Sequence, residues 1–358
     1  MRNILYFFLV LSANAHALLQ QTLKNPYNLT TEKELAENAT KKINLFWDKE
    51  AKFSSFKGVD GVKINTVSIR NNNNKVIVIV QGRSESVLKY KEISFNFAKQ
   101  GYDIYLIDHR GQGFSQRLGG DPYRGNVKDF QNYVTDLHTF ITQLDLKDKY
   151  KFRYILSHSM GGPISALYLE QYQTPFQAAV FSSPMFSINL GWYPVFVAKT
   201  ISYTSSKICA LFSKKACYTL GEGPYKPQKF KNNLITSSRI RFINGQQGYK
   251  DFPETQLGGP TMTWISQSIS AMSVAINNAN KITIPFLLLQ SGGDQVVTSE
   301  GQDTFFSNAT KCTSNQFLLI KKAKHELLEE KDKYRIPALT AILNFLHESK
   351  QGKILCTK

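Results

Sequence analysis

The chain reads as an α/β protein, a doubly wound and mostly parallel sheet interrupted by a helical cap insertion. Three observations predict this. Short β-branched apolar runs alternate with segments whose apolar residues recur at helical spacing, the pattern of parallel strands joined by crossover helices. One strand-to-helix passage, RYILSHSMGGPISALYLEQY at residues 153–172, is made through a turn of only a few residues. Between residues 187 and 280 the alternation fails and afterwards resumes, as an insertion into a sheet would make it.

Taken in order, residues 1–17 carry a basic start at Arg2, an apolar run over 4–11 and the cleavage-type pattern Ala15-His16-Ala17, and they read as a signal peptide. The apolar run is too short to span a bilayer, and no cysteine follows it for lipid attachment. The mature protein is therefore expected to be secreted or periplasmic, cut near Ala17. Residues 18–55 form an N-terminal helical extension, because Thr31 and Glu34 make a capping box and Leu35, Ala39, Ile43, Phe46 and Trp47 line one helix face.

The first part of the core spans residues 56–186. Apolar residues alternate over 62–69, and VIVIV at 76–80 is apolar on both faces, which marks a central strand. Val87, Tyr90, Ile93 and Phe97 fall at helical spacing, Gly101 ends that helix, and residues 102–107 give the next strand. Val127, Phe130, Val134, Leu137, Ile141 and Leu144 make an amphipathic helix feeding the strand at 154–156, and 178–181 supplies another strand. The cap, residues 187–280, holds Trp192, Pro194, Pro224, Pro227, Gly258, Gly259 and Trp264 in mixed helical and irregular patterns. The second part of the core, residues 281–358, contains strands near 284–289 and 317–320 and a closing helix.

The turn at Ser157-His158-Ser159-Met160-Gly161-Gly162 is a G-x-S-x-G nucleophile elbow with Ser157 in place of the first glycine. Small neighbours two residues away let a strained central residue lift its hydroxyl onto the top edge of the sheet. On this scaffold the partners follow in the order nucleophile, acid, histidine, at the carboxyl ends of strands. Asp294 in SGGD, directly after one strand, is the acid, and His325, after the next, is the base. The other histidines are placed elsewhere: His16 in the leader, His109 in a loop before the elbow, His138 in a helix, His158 pointing to the opposite side of the turn, and His347 near the C-terminus. Backbone N–H groups of Met160 and of Arg83, the latter after the VIVIV strand, are expected to form an oxyanion hole, with Gly82 permitting the close approach. Such chemistry calls for neither metal nor organic cofactor.

Net charge is +17, from 44 basic and 27 acidic residues, with lysines scattered rather than grouped in a tail. That balance fits a solvated basic surface or attraction to an anionic membrane, and no nucleic-acid motif accompanies it. The four cysteines are even in number, and export makes disulfides plausible, with sequence proximity pairing Cys209 with Cys217 and Cys312 with Cys356. N-x-T sites stand at Asn28, Asn38 and Asn308.

The segments QGRSESVLKY, IDHRGQGFS, YILSHSMGG, SSPMF, GGPTMTWISQSI and HELLEEKD together resemble the bacterial lysophospholipase L2 and monoacylglycerol lipase branch of the α/β-hydrolases, from about Asn65 to Phe345. The resemblance maps nucleophile, acid and base onto Ser159, Asp294 and His325. It implies an α/β-hydrolase fold and a serine esterase removing the acyl chain of a lysophospholipid through an acyl-enzyme, with a monoacylglycerol lipase or general carboxylesterase as alternatives. Peptidases share this scaffold, and a catalytically dead, membrane-binding hydrolase fold is a reading of another class that the complete set of three residues opposes. Gln81 departs from the histidine many relatives carry before the oxyanion glycine. For a phosphate-bearing substrate, Arg239 and Arg241 are the expected head-group contacts, since a guanidinium holds phosphate bidentately.

Overall fold

Eight strands form one sheet: β1 (Lys52–Lys57), β2 (Lys63–Ile69), β3 (Lys75–Val80), β4 (Tyr102–Ile107), β5 (Phe152–His158), β6 (Ala178–Ser182), β7 (Phe286–Ser291) and β8 (Gln316–Ile320). They lie in this computed structural model, which describes residues 24–191 and 194–356, in the order β1-β2-β4-β3-β5-β6-β7-β8. The signal peptide expected over residues 1–17 lies outside the described residues. β1 and β2 are antiparallel to their neighbours, and every later pairing is parallel. Val80 stands opposite both Ile107 and Ser157, and His158 opposite Ser182, so the carboxyl ends of β4, β3, β5 and β6 share one edge.

The period-two geometry of VIVIV divides the core in two. Val76, Val78 and Val80 face one cluster with α3 (Gln131–Gln143), α4 (Gly161–Gln171) and α7 (Met262–Asn278). Ile77 and Ile79 face the other, with α2 (Lys91–Lys99), α9 (Asp332–Lys350) and Trp47 from α1 (Thr40–Glu50). Both faces of the central strands are covered, which is why they read as continuous apolar runs. Two further helices, α5 (Val195–Phe212) and α6 (Arg239–Asp251), lie with α7 between β6 and β7 in the stretch read as a cap, of which α7 packs on α4 in the core, and α8 (Ser299–Asn308) lies between β7 and β8. Among the described residues no helix is long and apolar enough to cross a membrane.

Local chemistry sets the ends of these elements. Thr31 and Glu34 form the expected capping box, and the helix they start runs through a π-type turn at Leu35–Ala39 into α1. The extension is not wholly helical, since its last residues form β1, an edge strand whose KFSSFK sequence lacks clear alternation. α3 begins at Gln131 rather than Val127; Val127 and Phe130 are buried but belong to the approach to the helix. Disulfides join Cys209 to Cys217 at the end of α5, and Cys312 to Cys356 across 44 residues of sequence. In chain-entropy terms such bridges contribute about 2.5 and about 4 kcal/mol respectively.

The N-terminal extension, the cap and α9 meet at Arg241. Its side chain has no exposed surface, and Nε and Nη2 donate to the Glu92 carboxylate at 2.9 and 3.1 Å. Nη2 also reaches Asp332 Oδ1 at 2.9 Å and the Thr30 carbonyl at 3.1 Å, while Nη1 donates to the Glu330 carbonyl at 2.7 Å. This corrects the expectation that Arg241 holds a substrate phosphate: every face of the guanidinium is committed to the protein. Arg239, at the start of α6, is exposed.

Removing one partner of a buried ion pair leaves the other charge uncompensated. Arg241→Ala is therefore expected to cost about 3–5 kcal/mol, and Arg239→Glu about 0.5 kcal/mol or less, both read by urea unfolding. Equal, small losses for the two variants would contradict the structural role given to Arg241.

Candidate active site

β5 ends at His158 and α4 begins at Gly161, so the chain reverses direction through Ser159, which adopts φ +50°. That left-handed conformation is costly for a residue with a side chain and is held here by its surroundings. The Ser159 N–H donates to the Ser182 carbonyl at 3.2 Å, and the Ser159 carbonyl accepts from Gly162 at 2.8 Å and Met185 at 2.9 Å. A Cβ at Gly161 would lie 2.1 Å from the Val80 carbonyl oxygen, and one at Gly162 would lie 2.5 Å from Pro184 Cβ. Only glycine fits at either place. Ser157 is tolerated at the usual glycine position because its hydroxyl donates to the Val180 carbonyl at 3.2 Å.

The candidate acid and base come to this turn from the loops after β7 and β8. His325 Nε2 lies 2.9 Å from Ser159 Oγ, and His325 Nδ1 lies 2.7 Å from Asp294 Oδ2. The other oxygen of Asp294 accepts the N–H groups of Val296 at 2.8 Å and Val297 at 3.1 Å, which fixes the carboxylate and leaves Oδ2 for the imidazole. Gly292 and Gly293 donate to the Ile320 and Ala323 carbonyls at 3.0 and 2.8 Å, binding the acid loop to the histidine loop. Ser159 is 8% and His325 4% exposed, so the hydroxyl is nearly shielded yet reachable. With Nδ1–H given to Asp294, Nε2 is the basic nitrogen and faces the hydroxyl proton, the arrangement a general base needs.

Beside Ser159 runs the loop after β3. A Cβ on Gly82 would stand 2.9 Å from Ser159 Cβ, so glycine allows the backbone at Arg83 to come up to the hydroxyl. Among the described residues no protein acceptor takes the N–H of Arg83 or of Met160. The Arg83 side chain turns the other way, to the cap: Nη2 donates to the Gly258 and Gly259 carbonyls at 3.1 and 2.8 Å, and the guanidinium stacks 4.9 Å from the centre of the Trp264 ring. Burial pushes its pKa down to about 10, which leaves it charged at neutral pH.

The DHRGQG segment builds this loop and touches no reacting atom. Gln112 Nε2 donates to the Gly82 carbonyl at 2.7 Å, and Asp108 accepts Gln81 Nε2 at 2.7 Å and the Val87 N–H at 2.9 Å. The Gln81 side chain is thus held on Asp108. Arg110 pairs with Asp136 through Nε at 2.7 Å and Nη2 at 2.8 Å. Burial pushes the His109 pKa down to about 4 against its contact with the Gln81 carbonyl, so this imidazole is neutral and structural.

Sequence reasoning missed a buried cluster behind the candidate base. Glu85, Lys89, His158 and Glu326 come together there, with Lys89 Nζ 2.5 Å from Glu85 Oε1 and also paired with Glu326. The His158 and His325 rings are 5.0 Å apart between centres. Position next to Ser159 and His325 was the available signal for His158 and Glu326, and Glu85 and Lys89 sit in the QGRSESVLKY segment already singled out. Burial opposes the charge on Glu326, yet Lys89 and His158 hold its carboxyl well below the usual range.

Comparison with known proteins gives the same fold and a family. The family model described as serine aminopeptidase, S33, matches residues 71–332. Lysophospholipase L2 of Escherichia coli K12 is 36% identical over 314 residues, 86% of this chain and 91% of that protein. Probable lysophospholipase L2 of Haemophilus influenzae is 32% identical over 276 residues, 76% of this chain and 84% of that protein. A soluble variant of the monoglyceride lipase of Saccharomyces cerevisiae superposes with a TM-score of 0.65 at 17% identity, covering 87% of this chain and 97% of that one, a likeness of fold. A family match across most of the chain, relatives of this similarity and a mostly parallel sheet flanked by helices agree, and the chain belongs to the serine aminopeptidase S33 family of α/β-hydrolase enzymes, in its lysophospholipase and monoacylglycerol lipase branch.

Proposed function

We propose that the protein is an exported serine esterase that removes the acyl chain of lysophospholipids. The observation that carries this reading is the continuous hydrogen-bonded line from Ser159 Oγ through His325 to Asp294, with the N–H groups of Arg83 and Met160 unpaired among the described residues. His325 Nε2 takes the hydroxyl proton as Ser159 attacks the ester carbonyl, and Asp294 stabilises the imidazolium. The N–H groups of Arg83 and Met160 hold the developing oxyanion. The imidazolium protonates the leaving glycerophosphoryl alcohol, an acyl-enzyme remains, and water activated by the same imidazole releases the fatty acid. Bonded cysteine pairs and the leader over residues 1–17 support a secreted or periplasmic location, since such bridges persist in oxidising compartments.

The relatives named lysophospholipase L2 support a phosphate-bearing substrate. With Arg241 committed to Glu92, Arg239, which is exposed, and the lysines of the same insertion are the cations left for a head group. Lys128, Lys207, Lys214 and Lys215 line a cavity of about 440 Å³ beneath α5, together with Asn126 and Tyr203. The outer face of α5 supports contact with an anionic membrane: Phe196, Leu211 and Phe212 are 72%, 79% and 85% exposed, with Lys199 and Lys207 on the same helix. A monoacylglycerol lipase would need the same apolar face but no phosphate contacts.

Ser159→Ala or His325→Ala is expected to lower ester turnover roughly 10⁴-fold or more, and Asp294→Asn somewhat less, with folding intact by circular dichroism. A fluorophosphonate probe should label the parent at Ser159 and leave Ser159→Ala untouched; p-nitrophenyl ester turnover in Ser159→Ala within tenfold of the parent would overturn the assignment. For the head group, Lys207→Glu with Lys215→Glu should raise KM for lysophosphatidyl substrates about threefold or more while monoacylglycerol turnover holds. An identical change for both substrates moves the assignment to the neutral glyceride. For the membrane face, replacing Phe196, Leu211 and Phe212 by serine should weaken sedimentation with anionic vesicles about tenfold or more, leaving soluble-ester turnover unchanged; unaltered vesicle binding removes α5 as the docking face.

A further inference from the structure

We infer that Lys89 is a positioning residue, which through Glu85 and Glu326 locks the oxyanion loop to the histidine loop and sets the charge beside the general base. The inference rests on the serine-esterase reading and adds residues that none of its steps uses.

The geometry runs through two carboxylates. Glu85 Oε2 accepts the Gly82 N–H at 2.6 Å and the Tyr90 hydroxyl at 2.7 Å, so this side chain fixes the peptide just before the oxyanion donor of Arg83. Glu326 follows His325 in the chain, and its N–H donates to the Ile235 carbonyl of the cap at 2.7 Å. Lys89 Nζ bridges the two, touching Glu85 Oε1 at 2.5 Å and pairing with Glu326. One ammonium therefore joins two loops that carry opposite halves of the site. Arginine at this position can make the same bridge; an apolar residue cannot.

His158 completes the balance. Its Nδ1 lies 3.0 Å from the Ser182 carbonyl, so that nitrogen carries a proton. Nε2 then points at Glu326 Oε2, 3.3 Å away, and at Glu85 Oε1, 3.6 Å away. A neutral ring would aim a lone pair at two anions, whereas the imidazolium is attracted to both at ion-pair distance, although Nε2 makes no hydrogen bond to either. Burial works against that charge, and Glu326 and Glu85 overcome it, raising the His158 pKa. Glu85 and Glu326 thus face Lys89 and His158 across one buried cluster. The same three donors, Glu85, His158 and Glu326, lie within 4.8 Å of one another, a spacing that also suits a metal ion, but the Lys89 ammonium already supplies the cation between the carboxylates.

The charge facing His325 follows. Asp294 approaches it from the acid loop, Glu326 and His158 from behind, with Glu85, Lys89, Tyr90 and Glu329 beyond them and Tyr249 reaching in from α6. Removing the Lys89 charge makes the cluster one unit more negative, which favours a positive charge on the base beside it. Removing the Glu326 charge does the reverse. The acid limb of kcat/KM must therefore move in opposite directions in the two variants.

The test measures pH profiles of soluble p-nitrophenyl ester hydrolysis by the full chain carrying Lys89→Met, Lys89→Arg or Glu326→Gln, each normalised to the fraction labelled by fluorophosphonate. Lys89→Met is expected to lower kcat about 10- to 100-fold with KM within about threefold, and to shift the acid limb up by about one pH unit. Glu326→Gln shifts it down, and Lys89→Arg keeps kcat within about threefold of the parent. Parallel shifts, no shift, or equal loss in Lys89→Arg and Lys89→Met with Ser159 still labelled overturns the positioning role alone. A parent profile altered by a chelator overturns it in favour of a bound divalent ion. Absence of Ser159 labelling in the parent overturns the esterase reading, and the inference with it.

Discussion

The site depends on how closely α4 approaches β3. Gly161 packs against the Val80 carbonyl where a Cβ would stand at 2.1 Å, and that contact sets how far the helix can drop onto the sheet. Everything that meets at Ser159 inherits the constraint. A helix standing further out would lift Met160 and lower the angle of the turn, while Gly82, whose own missing Cβ faces Ser159 Cβ, would lose the neighbour against which the loop after β3 is set. Apolar packing behind the helix, through Ile164, Leu167 and Tyr168, supplies the force that holds the strained serine at φ +50°.

Buried charge, more than apolar area, positions the loops. Arg110 with Asp136, Arg241 with Glu92 and Asp332, and Lys89 with Glu85 and Glu326 each join segments far apart in sequence. Such pairs add little net stability over well-packed apolar residues, but leaving one half unpaired is expensive, so they act as registers that only one arrangement of the chain satisfies. A loop carries few apolar residues with which to fix itself. An ion pair fixes it to within the length of one hydrogen bond.

The parts legible in the sequence were those whose signal is local. VIVIV is a strand on both faces because the strand is buried on both faces, and the elbow is written in six consecutive residues. Asp294 and His325 follow from the order of strand ends on a sheet, a rule of topology that needs no contact information, and the structure brings both to Ser159. Both cysteine pairs were legible for the same reason, since four cysteines leave few choices and proximity selects among them. Arg241 was misread because nothing near it in sequence reveals that Glu92, 149 residues earlier, will occupy its fork. The Glu85 and Glu326 cluster was missed on the same ground: each carboxylate looks like a solvated charge until the fold buries both around one lysine. The edge strand β1 escaped because in KFSSFK, which is almost wholly exposed, the two phenylalanines stand three apart and show no period of two.

Arg83 shows how the cap and the chemistry are joined. Its backbone follows Gly82, which packs against Ser159, and its side chain holds the Gly258 and Gly259 carbonyls and the face of Trp264, which heads α7. α7 in turn packs against both α5, the helix with the exposed apolar face, and α4, the helix of the elbow. The loop beside Ser159 is thus tied to the insertion at two points, by the Arg83 side chain and by the Tyr249 hydroxyl of α6, which donates to the Ser84 carbonyl at 2.6 Å. The guanidinium is the right group for this task, because it spans two carbonyls and a ring at once and stays charged when buried. An exposed apolar helix and a shielded serine are thus linked without being in contact, through α7 and the groups that hold the loop after β3.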